Sequence, residues 1–350
     1  MSRTKLSLPA IALAGLLMAP ISALAGPPPS GPRTPFDFNK DTKTDLAAEN
    51  LGTGVVRTSM VDGTSVLSTG FPATLTAPLK LVGACSCDGS GAAQLVAVNG
   101  TTGLIRIISL DSGGTMATAS AFPTSVASGF KYIGSGDFDA NGTDDLAFVQ
   151  TTGPNAGLIR VILMNSDLTV KASGFPATLP ANFQAIGVGD VNGDGHADIA
   201  AWNTTTGLYR FFLFHPDGVS VSGSTFPGST TAGAAPVGLG YLNSDNQADV
   251  LSVKTVDPNK GLARVQITGA GATSFSASAF PFAVPAGFQT IQSGLDGGPG
   301  EVFVKKTADP NGGLVRVFIL AGDAMSVSMT GFPFQYPLTF TSVGNAAQLP

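Results

Sequence analysis

Short apolar runs recur along the chain about every 50 residues, the period of propellers and solenoids. Each follows an acidic or amide residue. They read Leu46-Ala47-Ala48, Leu95-Val96-Ala97, Leu146-Ala147-Phe148, Ile199-Ala200-Ala201, Val250-Leu251-Ser252 and Val302-Phe303-Val304. A second run opens with Gly-apolar-x-Arg, at Gly54–Arg57, Gly103–Arg106, Gly157–Arg160, Gly207–Arg210, Gly261–Arg264 and Gly313–Arg316. Every arginine beyond Arg33 belongs to this series. A third run ends in Phe-Pro, at Phe71, Phe122, Phe175, Phe226, Phe280 and Phe332, where proline stops a strand or marks an edge. A fourth is glycine-spaced: Phe183–Gly189, with relatives at Phe130–Gly136, Pro236–Gly240, Phe288–Gly294 and, at the end, Phe340–Gly344.

Each period therefore holds four short strands. A sheet of that size buries too little alone, so neighbours must stack, either as a ring of blades or as an open array. The two ends of the pattern decide. The first loop, at Asp37, has no glycine-spaced strand before it, and the last such strand has no loop after it. The last segment can thus complete the first blade and remove exposed edges. The expected fold is all-β: a six-bladed β-propeller of four-stranded antiparallel blades, closed by a C-terminal strand near residues 338–344. An open solenoid is the alternative, but no polar capping repeat is visible. The Phe183–Gly189 type of strand is expected innermost, because glycine suits a crowded channel.

The loop between the first two strands carries the candidate chemistry. Its fullest form is Asp190-Val191-Asn192-Gly193-Asp194-Gly195-His196-Ala197-Asp198, with oxygen-bearing side chains at positions one, three, five and nine. Hard oxygens converging from one short loop are what Ca²⁺ takes. The glutamate that an EF-hand places at position twelve is missing, and a β-like run follows instead. Two other loops have full sets, Asp37/Asn39/Asp41/Asp45 and Asp137/Asp139/Asn141/Asp145. A fourth is partial, with Tyr241 at position one before Asn243, Asp245 and Asp249. The loop from Ser86 to Gln94 and the shortened one around Asp296 and Glu301 read as metal-free turns. Without a cation, every such loop can also be an Asx turn held by its own hydrogen bonds.

These residues resemble the FG-GAP/VCBS repeats of integrin α-chain-like propellers. The likeness rests on Gly187-Val188-Gly189-Asp190 running into Asp190-x-Asn192-x-Asp194-Gly195-x-x-Asp198, and on Gly136-Asp137-x-Asp139-x-Asn141-Gly142-x-x-Asp145. It spans about residues 36–345. It implies Ca²⁺ bound between the first two strands of a blade, and a role as an extracellular binding or adhesion module. The chain departs from that pattern in three loops, and it has six units where the integrin ring has seven.

Composition agrees with a strand-rich fold: 45 glycines and only 12% charged residues. The net charge of −5 and the lack of any basic run argue against nucleic acid. Residues 1–25 read as a secretory signal. Arg3 and Lys5 precede an apolar stretch that Pro9 and Pro20 break, and Ala23-Leu24-Ala25 forms a cleavage site after Ala25. Residues 26–35 form a Pro-rich linker, and residues 36–350 the propeller. No later stretch is long and apolar enough to span a membrane, so a secreted or periplasmic monomer is expected. Cys85 and Cys87 form either a small disulfide or a redox or soft-metal pair.

The arginine series has two readings. Each guanidinium pairs with a carboxylate on the adjacent strand, Arg160 with Asp145 and Arg210 with Asp198, or the six line one surface and bind an anionic glycan. The Phe-Pro rings are expected to pack between blades, and Trp202 in the core. No nucleophile stands at a recognisable spacing from His196 or His215. The expected function is a non-catalytic module for a protein or glycan ligand at the cell surface. The alternative is a polysaccharide lyase or hydrolase on the propeller face, needing paired acids outside the repeat.

Overall fold

The structure is a computed structural model that describes residues 36–295 and 298–344. The expected secretory signal, the Pro-rich linker and Asp296 lie outside the described residues. Six four-stranded antiparallel sheets follow one another along the chain. In the fourth, Phe183–Gly189, Asp198–Asn203, Tyr209–Phe214 and Val221–Thr225 pair in sequence order. First strands of neighbouring blades approach each other around the centre, so the glycine-spaced strands are innermost. The architecture is the expected six-bladed propeller.

Burial explains the sequence pattern. The Asp198–Asn203 strand is covered on both faces by adjacent blades, so Ile199, Ala200 and Ala201 are all buried and apolar without alternation. The outermost strand, Val221–Thr225, is largely exposed and made of Ser, Gly and Thr. Cores lie between blades: Phe138 and Val161 of the third pack with Ile199, Phe212 and Phe214 of the fourth.

Two glycine positions have direct steric causes. Gly103, which opens the Gly-x-x-Arg signature, has φ 69°, and a Cβ there would stand 1.8 Å from the Val126 carbonyl oxygen. Its own carbonyl accepts a hydrogen bond from the Val126 amide at 3.0 Å, clasping the third strand to the segment after the fourth. Gly136, in an inner strand, would place a Cβ 2.7 Å from that of Ala197 in the next blade. The inner strands also carry a recurring irregularity in pairing, as between Ala185 and Gly187 and between Tyr132 and Gly134, which the sequence pattern did not announce.

The ring closes as expected. Phe340–Val343 pairs antiparallel with Leu46–Asn50, matching Ala47 with Val343 and Asn50 with Phe340. Among the described residues the only helical turn is Ala270–Ala272. The disc has two faces. The loops joining first to second strands and third to fourth lie on one, called here the loop face; the other connections lie opposite.

Removing residues 339–350 strips the closing strand, whose Phe340 is 8% exposed. Lost burial and backbone pairing together are worth about 5 kcal/mol, so the melting temperature should fall by ~10 °C or more. An unchanged melt would mean that closure contributes nothing. All four tyrosines, Tyr132, Tyr209, Tyr241 and Tyr336, are held above the usual phenol range by burial. The fold refuses their ionisation while the unfolded chain allows it. Above about pH 10 the unfolded state therefore holds fewer protons, and stability should decline with rising pH. Tyrosinate absorbance should appear together with unfolding, not before it.

Candidate metal centre

The residue that closes each loop does structural work first. Asp145 accepts the Phe138 amide on Oδ2 at 2.9 Å and the Met164 amide on Oδ1 at 2.8 Å. It thereby ties its own loop to the end of the third strand. Asp45 makes the same pair with Phe38 and Val61, Asp198 with Val191 and Phe214, and Asp249 with Leu242 and Thr268. All four carboxylates are fully buried. Burial pushes Asp45 and Asp145 up to about 8, and the two amide hydrogen bonds only partly offset it. Asp198 and Asp249 are held well above the ordinary carboxylate range for the same reason.

The first residue turns the loop. Asp137 accepts the amides of Asn141 and Gly142, Asp37 those of Asp41 and Thr42, and Asp190 those of Gly193, Asp194 and Gly195. In the fifth repeat Tyr241 stands there instead. Its phenol oxygen lies 3.3 Å from the Asp190 amide and accepts from it, linking two loops.

The third position separates the loops. At Asn39, Asn192 and Asn243 the carboxamide donates to the carboxylate two residues on, Asp41, Asp194 and Asp245, at 2.9–3.0 Å. Those three loops satisfy themselves as Asx turns. At Asp139 no amide is available to donate. Here one carboxylate oxygen each of Asp137, Asp139 and Asp145 lie within 4.8 Å of one another, and no other three described acids, histidines or cysteines meet so closely. Lys171 holds Asp139 Oδ2 at 2.7 Å, while Asp139 Oδ1 is buried with no hydrogen-bond partner. The Asp139 side chain is only 5% exposed. Three carboxylates answered by one lysine, with one buried oxygen still lacking a donor, leave negative charge uncompensated, and a divalent cation fits that need. Asn141, the fourth expected ligand, is engaged elsewhere: its Nδ2 donates to the Met164 carbonyl at 3.1 Å and its Oδ1 accepts the Thr143 amide at 2.7 Å.

Neighbouring loops are chained together. The carbonyls of Asp37, Ser86, Asp137 and Asp190 accept amides from Ala93, Asp144, Ala197 and Ala248 of the next blade. Between the last loop and the first, Glu301 accepts the Thr44 amide at 3.2 Å. In the second loop, Cys85 and Cys87 form a buried disulfide.

The arginines and the Phe-Pro rings depart from expectation. Asp145 and Asp198 are occupied by amides on the loop face, whereas Arg160 and Arg210 open strands on the opposite face. Among the described residues none of the six arginines pairs with a carboxylate; lysines do, as in Lys43–Asp62, Lys80–Glu49 and Lys171–Asp139. Instead Arg106, Arg160, Arg210, Arg264 and Arg316 lie 5.4–5.9 Å from the ring centres of Phe122, Phe175, Phe226, Phe280 and Phe332. Those rings are not packed between blades: they are 49–56% exposed, and Phe71 61%. Trp202 is half-buried and packs beside the cluster of Tyr209 and Phe211.

Replacing Asp145 by Ala leaves two buried amides without acceptors, at about 1–3 kcal/mol each. Urea unfolding in chelator should show a loss of ~3 kcal/mol. Asp88→Ala, in the charge-poor second loop, should cost less than about 0.5 kcal/mol. Equal losses would show that the closing carboxylate is not a clasp.

Residues 137–201, which include this cluster, match the FG-GAP-like repeat family. No curated protein matches the chain. Among solved structures it is similar to a protein from Lactobacillus plantarum, at 13% identity over 83% of this chain and 81% of that one, with TM-score 0.44. It is also similar to the β-propeller domain of Myceliophteria thermophila Cps50 (Swd1), at 13% identity over 74% and 75%, with TM-score 0.38. A luciferin-regenerating enzyme shares 11% identity over 69% and 72%, with TM-score 0.41. At that distance these likenesses carry nothing about binding or chemistry. The chain is a six-bladed β-propeller that carries an FG-GAP-like repeat across its third blade and into its fourth.

Proposed function

We propose that this protein is an exported propeller that binds Ca²⁺ in its blade loops and acts as a non-catalytic binding module for a protein or glycan at the cell surface. The carrying observation is the meeting of Asp137, Asp139 and Asp145, with Asp139 Oδ1 buried and unpartnered. A bound divalent ion would remove the mutual repulsion of these acids and the desolvation that disfavours their charged forms. The loops at Asp37 and Asp190, and the partial set Asn243, Asp245 and Asp249, are secondary sites. There an ion would have to displace the asparagine-to-aspartate hydrogen bonds. Export rests on the N-terminal sequence; no described helix is long and apolar enough to cross a membrane.

The centre of the ring holds a cavity of about 980 Å³, a space in which a ligand could sit. Its lining includes Lys131, Tyr132, Asn182 and Gln184 but no carboxylate.

Thermal melting in calcium and in chelator tests this reading. A calcium excess of a hundredfold over Kd stabilises by about 2.7 kcal/mol, which should raise the melting temperature by at least ~5 °C. Asp139→Asn should remove most of that rise while leaving the melt in chelator nearly unchanged. A wild-type melt indifferent to calcium would sink the proposal.

A further inference from the structure

The fold sorts charge in a way that the linear sequence conceals. Acids cluster in the loops of the loop face, whose described cations are Lys40, Lys43 and Lys171. Strand direction sends the remaining described cations the other way. The opposite face receives all six arginines together with Lys80, Lys131, Lys254, Lys260, Lys305 and Lys306, against the carboxylates Glu49, Asp257 and Asp309. A chain of net charge −5 thus presents one strongly basic face. No run of basic residues signals it, because each blade contributes one arginine and the ring gathers them.

On that face the arginines are set up to receive a ligand. They have no carboxylate partners among the described residues, and the Nε atoms of Arg57, Arg106, Arg160 and Arg264 are buried without a hydrogen-bond partner. Arg160 donates from Nη1 to the Ser125 carbonyl of the preceding blade at 3.1 Å. The guanidinium of Arg57 lies over Phe334 and Tyr336, also of the preceding blade. Arg57 and Arg160 thus reach across a seam. Arg106, Arg210, Arg264 and Arg316 donate to Ser120, Ser224, Ser278 and Thr330 on the fourth strand of their own blade, and five arginines have a half-exposed Phe-Pro ring beside them. Guanidinium forks suit carboxylates. An exposed ring next to the fork offers an apolar plate for the C–H face of a pyranose, which a phosphate or sulfate ion alone would leave unused.

We infer that these Arg–Phe seams bind an acidic polysaccharide of the polyuronate class, each seam taking one carboxylate-bearing sugar. The inference rests on the reading of the chain as a binding module and names its ligand and its surface. A simple clasp, with each arginine only bracing the third strand against the fourth, would leave the rings exposed without purpose. An anionic membrane would use the same charge, but the rings lie on the outermost strands and flank the face.

The test is affinity electrophoresis of the whole chain in gels containing polygalacturonate, with dextran gels and phosphatidylglycerol vesicles as controls. The expected result is retardation by polygalacturonate that weakens with salt, and none by dextran. The double variant Arg160→Gln/Arg264→Gln should bind about tenfold more weakly. Phe175→Ala/Phe280→Ala, which leaves charge unchanged, should bind about fivefold more weakly. No retardation of the wild type would overturn the inference. So would retardation equal in wild type and variants, including adhesion bridged by calcium through the loop face, or binding to vesicles but not to polygalacturonate. Melting curves of the variants report folding, and the calcium-dependent shift reports the metal site. A failure here with that shift intact condemns the seams alone.

Discussion

Burying a carboxylate without an opposing charge is among the more expensive things a protein interior can do. This fold does it in four of its six repeats, at Asp45, Asp145, Asp198 and Asp249. Each is tolerated because two backbone amides, one from its own loop and one from the end of the third strand, point straight at it. The arrangement ties three strands of a blade at one point and leaves a latent negative charge there. The loop in front supplies further oxygens, and cation affinity follows from the residue at its third position. The two deviant repeats use a neutral amide, Gln94, or a longer acid, Glu301, which reaches the neighbouring blade.

The carbonyl-to-amide hydrogen bonds between successive loops, from the first to the fifth, give the ring a second set of links besides the packing of apolar seams. Together with the closing strand, which joins the first and last blades across their distance in sequence, they give each blade of the ring a neighbour on both sides. Stability is therefore expected to be cooperative around the disc, in contrast to an open array, where each repeat depends only on the units beside it.

Much of this was legible in the sequence. The six apolar runs, the missing first strand and the spare last one were enough to number the blades and close them, because covered strands must be apolar throughout. The inner position of the Phe183–Gly189 strand followed from its glycines. What stayed hidden depends on register. Arg106 and Phe122 are 16 residues apart, and only the antiparallel pairing of Ile107 with Ala121 brings them together. The near-constant spacing of each arginine from the next Phe-Pro was the available signal. The loop sequences likewise suggested three equivalent sites centred on Asp190–Asp198. Exchanging asparagine and aspartate between positions three and five, to Asp139 and Asn141, changes a self-satisfied turn into a converging acidic cluster, and side-chain hydrogen bonding had to be seen to know it.

The closing strand also imposes an order of events on the nascent chain. Asn50 meets Thr339 across 289 residues, so the first blade cannot be completed until nearly everything described here has left the ribosome. Until then Leu46–Asn50 presents a bare edge to any passing strand, its own or a neighbour's. Such long-range pairing is entropically slow to form. The interval before head meets tail is the time when a chaperone would matter most to this molecule.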